Sequence, residues 1–206
     1  MGFEIITTET LGFCFGVDRA VAALYDRIEK EKRVGSGRKI YTFGPIIHNP
    51  DLNEDLRQKG VCVIDDPEQA DPNGIVFIRT HGVPRSVIEG LESRGVETVD
   101  MTCPKVKRIQ KIAAGKKDLI IVGDIAHPEV VGIVGNAENS YFIAKSLDEL
   151  KNILHNELPS PFVPTQVLLS LSLKLAPLRS APKTICGTYI FVSLCITTSI
   201  PPLSYT

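Results

Sequence analysis

The 206-residue sequence lacks several features that define whole classes of protein. Its 23 basic and 24 acidic residues leave a net charge of −1, so the composition gives no electrostatic reason to bind nucleic acid or an anionic membrane surface. No run of about 18 apolar residues is present, as a spanning helix would need. The first ten residues, MGFEIITTET, lack the basic and apolar regions of a secretory signal. We therefore expect a cytoplasmic protein that binds neither nucleic acid nor membrane.

Closely spaced cysteine pairs are also missing. The five cysteines are an odd number at wide spacings, which argues against a disulfide framework and favours a reducing compartment. No C-x2-C or H-x3-H pair, the usual spacing of zinc ligands, occurs among the cysteines and histidines. The cysteines are Cys14, Cys62, Cys103, Cys186 and Cys195.

Acidic residues are absent from the end of the chain. All 24 of them lie at or before Glu157, while residues 158–206 carry only three charges and are rich in Ser, Thr and Pro. The prolines break any long helix, and the apolar content is high for a disordered segment. Three explanations of this segment are considered: a disordered tail, a membrane-associated segment, and translation in a wrong reading frame. The composition favours the last.

Residues 1–157 show a regular alternation of β-rich runs and helical segments. FEIITT is the first β-rich run, and VDRAVAALYDRIEKEK follows with apolar residues three or four positions apart. The segment PRSVIEGLESRG begins with proline and ends with glycine, and Ser146 with Glu149 forms a helix-capping pattern. This alternation predicts an α/β fold with largely parallel sheets.

Residues capable of chemistry follow the ends of the predicted strands. They occur in the segments GFC, IHN, RTHG, TCP and AHPE, which contain Cys14, His48, His81, Cys103 and His127. In open α/β sheets, ligands bind at the carboxyl ends of the strands. We therefore expect these three histidines and two cysteines to converge.

The setting of two cysteines differs from that of an ordinary core thiol. Cys14 lies in a turn between Gly12 and Gly16, where the backbone can approach another group closely. It precedes a predicted helix, whose N-terminus favours the thiolate that binds metal. Cys103 also lies between a strand end and a helix start, whereas Cys62 lies inside a predicted strand and is expected to be a core residue.

The histidines suggest an anion as ligand. His48 and His81 lie in loops, and His127 is followed two residues later by Glu129. A histidine and a carboxylate so placed can bind an anion and donate a proton. Three histidines with few competing carboxylates favour a phosphate or diphosphate, and a zinc site made of the same residues is the alternative.

Five segments together resemble one enzyme family. In order along the chain, GFCFGVDRAV, GPIIHNP, RTHGVP, DMTCPKV and GDIAHPEVVG resemble the motifs of 4-hydroxy-3-methylbut-2-enyl diphosphate reductase, an iron–sulfur enzyme of the non-mevalonate isoprenoid pathway. The resemblance extends over about residues 3–155. It implies a trefoil-type arrangement of similar parallel α/β units around a central cluster.

The resemblance also implies roles for individual residues. Cys14 and Cys103 match two ligands of a [4Fe-4S] cluster, and Glu129 matches the acid that protonates the substrate hydroxyl. The histidines that match the diphosphate-binding residues are His48, His81 and His127. The implied reaction is a reductive dehydration of the allylic diphosphate to isopentenyl and dimethylallyl diphosphate, with a ferredoxin or flavodoxin as electron donor.

The end of the chain departs from this family. KTICGT resembles the surroundings of the third cluster cysteine, which makes Cys186 a candidate, but it comes too early and no Ser-x-Asn motif is present. We therefore predict a first unit at 1–101, a partial second unit at 102–157 and an aberrant tail at 158–206, so that the third unit is absent or incomplete. The alternatives to a reductase are an inactive truncated remnant that at most binds a diphosphate and a zinc hydrolase.

Overall fold

The computed structural model describes residues 12–115, 119–157, 166–169 and 188–191. The predicted FEIITT strand lies outside these residues. The helices are α1 (Phe15–Val34), α2 (Pro50–Gln58), α3 (Arg85–Ser93), α4 (Pro104–Gly115), α5 (Pro128–Val134) and α6 (Leu147–Asn152). The strands are β1 (Ile40–Phe43), β2 (Val61–Ile64), β3 (Ile75–Ile78), β4 (Glu97–Asp100), β5 (Leu119–Val122), β6 (Tyr141–Ala144), β7 (Gln166–Leu169) and β8 (Thr188–Phe191). A 3₁₀ turn at Pro67–Gln69 and a π-helical turn at Ile153–Glu157 complete the described elements.

The strands form two parallel sheets with the same topology. The first has the order β2-β1-β3-β4, and the second has the order β6-β5-β7-β8. Every pairing between neighbours is parallel. The parallel α/β class expected from the sequence is therefore confirmed, and the described part of the chain consists of two similar units.

Helices cover both faces of β1 and of β5. In the first sheet, Ile40 packs in one cluster with residues of α1 and α2, whereas Tyr41 packs on the other face with residues of α3. In the second sheet, Leu119 packs with α4 and α5, and Ile120 packs with α6. Successive side chains of a strand point to opposite faces, so a strand buried on both faces is apolar throughout, as LIIV is in β5.

The predicted helix boundaries have identifiable chemical causes. Helix α1 ends at Gly35, whose φ of 58° lies in the left-handed region that glycine adopts at little cost. The predicted capping pattern at α6 is present, because Ser146 Oγ accepts from the Glu149 N–H at 3.1 Å. Glu149 in turn accepts from the Lys145 N–H at 2.9 Å, one residue before the cap.

Strands β7 and β8 lie within the residues that the sequence assigns to the tail. Both are part of the second sheet, where β7 pairs with β5 and β8 pairs with β7. The unit boundaries at residues 101 and 157 and the trefoil arrangement stay predictions. Among the described residues, no helix is both long and apolar enough to cross a membrane.

The expectation for Cys62 is wrong in one respect. Cys62 lies in β2 as predicted, but its side chain is exposed and not in the core. The cause is the position of the strand: β2 is the edge of its sheet, and its two middle residues are exposed while Val61 and Ile64 are buried. An apolar run alone does not reveal whether a strand is central or at the edge.

Candidate functional site

The three histidines that follow strand ends lie next to one another. His48 comes after β1, His81 after β3 and His127 after β5. The ring centroids of His48 and His81 are 5.0 Å apart, and those of His81 and His127 are 5.9 Å apart. The cluster therefore joins loops of both sheets at their carboxyl edges, with His81 in the middle.

The two sheets present His48 and His127 through the same local structure. Each histidine is the fifth residue after its strand, and each strand is followed at once by a glycine. The Gly44 N–H donates to Ile64 O at 2.7 Å, and the Gly123 N–H donates to Ala144 O at 2.9 Å, in both cases to the last residue of the neighbouring strand. The two histidines thus occupy equivalent positions in two structurally repeated units.

His81 is the most enclosed member of the cluster. Burial, followed by the effects of the nearby His48, Arg79 and His127, lowers its pKa to about 4. Its Nδ1 is buried and has no hydrogen-bond partner among the described residues. His81 is therefore neutral at pH 7, and its unsatisfied ring nitrogen is available to a ligand or a water molecule.

His127 and Glu129 are held by the start of α5. His127 caps this helix, and its Nδ1 accepts from the Glu129 N–H at 3.3 Å. Since Nδ1 is the acceptor, the neutral ring carries its proton on Nε2, which can donate to an anion. Burial, followed by the effect of His48, lowers the pKa of His127, so the neutral ring is favoured.

Glu129 is a buried carboxyl group without a charged partner. Its side chain is 4% exposed, and Oε1 has no hydrogen-bond partner in the described part of the chain. Burial alone raises the pKa of this group to about 7. A carboxyl with such a pKa is partly protonated at neutral pH and can both donate and accept a proton.

The two predicted cysteines lie at the starts of helices on the same edge. Cys14 caps α1, and its C=O accepts from the Asp18 N–H at 2.9 Å. Cys103 directly precedes α4, and its C=O accepts from the Lys107 N–H at 2.9 Å. Both side chains are partly exposed, at the positive end of a helix. Both cysteines thus directly precede a helix, while the strand predicted before Cys14 lies outside the described residues.

Gly16 brings the start of α1 against Cys103. A methyl group added at Gly16 would lie 2.8 Å from Cys103 Sγ, so only glycine leaves room for the thiol. Gly12 acts differently: its φ of 136° is a backbone conformation that favours glycine. Gly16 therefore allows α1 to approach Cys103 closely, and Gly12 provides the backbone conformation of the turn before Cys14.

Cys103 is connected to the histidine loops through the backbone. The Cys103 N–H donates to Thr80 O at 2.9 Å, directly beside His81. The hydroxyl of Thr80 in turn donates to Ile46 O at 3.2 Å, in the loop that carries His48. Two cysteines and three histidines thus lie on adjoining loops, as expected from their places at strand ends.

Three side chains that sequence reasoning did not single out support this edge. Arg19 of α1 donates to Thr102 O at 2.9 Å and to Met101 O at 3.3 Å, which fixes the loop before Cys103. Gln110 of α4 lies against Gly132, where an added methyl group would be 2.9 Å from its Nε2. Arg79 follows β3 and lies two residues before His81. It is the first residue of the RTHGVP segment, in which the sequence pattern indicates only the histidine as a site residue.

The described residues do not by themselves form a metal site. Within residues 12–115 and 119–157, no three His, Cys, Asp or Glu side chains are grouped so that they could hold a metal ion. Cys14 and Cys103 have the chemistry and the helix-start setting of cluster thiolates. Cys186 lies outside the described residues, and so does Cys195.

Comparison with protein families identifies relatives over most of the chain. A family model described as LytB protein matches residues 5–176, which is about twenty residues beyond the end of the resemblance near residue 155. A 4-hydroxy-3-methylbut-2-enyl diphosphate reductase from Caldanaerobacter subterraneus subsp. tengcongensis is 42% identical over 156 residues, or 73% of this chain and 53% of the relative. The enzyme of that name from Solidesulfovibrio magneticus is 36% identical over 167 residues, or 79% of this chain and 58% of the relative. The chain spans about half the length of the curated relatives it matches.

Two solved structures share the fold. A structure of (E)-4-hydroxy-3-methyl-but-2-enyl diphosphate reductase, described as the terminal enzyme of the non-mevalonate pathway, matches with a TM-score of 0.70 and 28% identity. The match covers 90% of this chain and 66% of that one. The corresponding reductase from Plasmodium falciparum matches with a TM-score of 0.69 at 22% identity over 80% of this chain and 50% of that one, a likeness of fold alone.

Proposed function

This chain belongs to the LytB protein family, and we propose that its clustered side chains form part of the active site of a 4-hydroxy-3-methylbut-2-enyl diphosphate reductase. The proposed reaction cleaves the C–O bond of an allylic alcohol. Two electrons and two protons are consumed, water leaves, and isopentenyl or dimethylallyl diphosphate is formed.

The observation that carries this proposal is the contact of three histidine rings from two sheets. His81 lies 5.0 Å from His48 and 5.9 Å from His127 between ring centroids. An imidazole donates through its ring N–H, and three such donors at one edge suit the oxygens of a diphosphate. We assign His48, His81 and His127 to diphosphate binding.

Glu129 is assigned to proton delivery. The leaving hydroxyl needs a proton, and a general acid works best when its pKa lies near the working pH. Burial brings the pKa of Glu129 to about 7, so a large fraction of the group is protonated at neutral pH. The N–H of Glu129 binds His127, which fixes the acid beside the assigned diphosphate ligands.

Cys14 and Cys103 are assigned as two ligands of a [4Fe-4S] cluster, with the remaining protein ligand outside the described residues. When bound, such a cluster supplies electrons and an iron that can act as a Lewis acid on the substrate oxygen. Both cysteines lie at the positive end of a helix, and Gly16 lets the start of α1 lie against Cys103. A ferredoxin or flavodoxin as electron donor and a cytoplasmic location are part of the same proposal.

A second candidate function is a remnant that binds a diphosphate without turning it over. One observation favours it: Cys14 and Cys103 have the setting of cluster ligands, but among the described residues no three His, Cys, Asp or Glu side chains are grouped to hold a metal ion. The histidine cluster does not depend on these thiolates, so diphosphate binding is expected in either case.

Anaerobic reconstitution with iron and sulfide separates the two candidates. The reductase proposal predicts about four iron and four sulfide per chain, together with reduction of the allylic diphosphate by a reduced viologen dye. Cys103→Ser should abolish both, whereas Cys62→Ser, on the exposed edge strand, should change neither. Iron and sulfide near zero in the wild-type chain would leave the remnant as the function.

A further inference from the structure

Arg79 is a half-buried cation beside the histidine cluster. We propose that its guanidinium is a fourth side chain that binds the diphosphate, together with His48, His81 and His127. This inference rests on the proposed function and adds a permanently charged group to the site. His81 and His127 are favoured as neutral rings, so these two contribute hydrogen bonds and little charge.

The position of Arg79 follows from two backbone features. It is the first residue after β3, and its side chain extends across Gly44, the first residue after β1. A methyl group at Gly44 would lie 2.6 Å from Arg79 Nη1 and 3.3 Å from Cζ, so glycine is needed for the guanidinium to lie there. The Arg79 Nε–H donates to Gly82 O at 3.4 Å. This hydrogen bond holds the guanidinium against the loop that carries His81.

Arg79 has no counter-ion in the described part of the chain. Arg27, Arg38, Arg57 and Arg85 each pair with a glutamate, whereas Arg79 makes no salt bridge there. Burial lowers its pKa, which shows that removal from water disfavours the charged form. A partly buried charge without a partner is costly, and an anionic ligand would remove this cost.

The charge of Arg79 reaches the centre of the cluster. It lowers the pKa of His81 and also that of His127, which follows a strand of the other sheet. Diphosphate groups carry several negative charges, and a planar guanidinium can donate two parallel hydrogen bonds to phosphate oxygens. A permanent cation beside these hydrogen-bond donors therefore fits a diphosphate better than a neutral ligand.

The test is calorimetric titration of the full chain with inorganic pyrophosphate. Arg79→Gln should weaken binding about tenfold to a hundredfold, since it removes charge-assisted hydrogen bonds. Arg79→Lys keeps the positive charge but cannot donate two parallel hydrogen bonds, so it should retain part of the affinity for pyrophosphate. Arg33→Gln is the matched control, because Arg33 is an exposed residue in the last turn of α1 and its replacement changes the net charge equally.

Thermal unfolding without ligand separates ligand binding from structural support. Neutralising an unpaired, partly buried cation should leave the melting temperature unchanged or raise it, while the stabilisation by pyrophosphate is lost. A lower melting temperature for both Arg79→Gln and Arg79→Lys would show a structural role and overturn the inference.

The outcomes also separate this inference from the proposed function. If His48→Asn weakens pyrophosphate binding and Arg79→Gln does not, the inference about Arg79 is wrong and the histidine site stands. If the wild-type chain does not bind pyrophosphate at all, the assignment of the histidines to diphosphate binding fails, and the inference fails with it.

Discussion

The buried carboxyl group of Glu129 makes stability depend on pH in a direction opposite to that of most carboxyl groups. Its pKa is about 7 in the folded chain, against 4.5 as the ordinary value. Between these values the folded state binds the proton more tightly than the unfolded state. Stability is therefore fully present at low pH and declines as the pH rises from about 4.5 to about 7.

The size of the effect follows from the two pKa values. Each pKa unit corresponds to about 1.4 kcal/mol, and integration of proton binding from pH 5 to pH 8 gives a loss of about 2.5 kcal/mol for this group. Glu129→Gln removes the titration and keeps the shape of the side chain. The variant should thus gain about 2.5 kcal/mol over the wild-type chain between pH 5 and pH 8.

Urea unfolding of both proteins at pH 5, 6, 7 and 8 measures this difference. The comparison cancels the other titrating groups, because they are the same in both chains. Glu92→Gln, which makes the same replacement at an exposed side chain, is the matched control. A Glu129→Gln difference that stays constant within about 0.5 kcal/mol over this range would refute the reasoning about burial.

Three further predictions concern stability and packing. Burial holds the pKa of His81 at about 4, against an ordinary 6.5, so the free energy of unfolding should fall by about 2 kcal/mol from pH 8 to pH 5. His81→Asn should remove this pH-dependent loss, as measured by urea unfolding. Gly16→Ala should lower the melting temperature and change the reaction rate of Cys103 with a thiol reagent, whereas Gly115→Ala, where a methyl group meets open space, should do neither. Leu24→Ala should cost about 3 kcal/mol in urea unfolding because Leu24 is fully buried in the first unit, and Val34→Ala, at a side chain 65% exposed, should cost less than about 0.5 kcal/mol. Equal losses for the two variants of either pair would contradict the packing described above.

The order of elements and the edge that carries the site could be predicted from the sequence. These depend on local signals: apolar periodicity, proline and glycine at helix ends, and polar residues after strands. His48, His81 and His127 were found because each follows a strand end, and parallel strands bring their carboxyl ends to one edge.

Features that depend on contacts between distant segments could not be predicted. The exposure of Cys62 follows from the edge position of β2, which only the strand order reveals. The sequence indicates Gly16 as a residue with backbone freedom, but it lies within helix α1. A glycine is needed there because a larger side chain would contact the Cys103 thiol. The position of the Arg79 side chain depends on its contact with Gly44, which follows a different strand.

The central claim is that His48, His81 and His127 bind a diphosphate together. Nitrogen NMR of the four histidine rings during titration with pyrophosphate tests it most directly, because His155, exposed on the π-helical turn after α6, is a control within the same chain. We expect the ring signals of the three clustered histidines to shift with one common affinity while those of His155 stay in place. Equal shifts in all four rings, or none in the clustered three, would contradict the account.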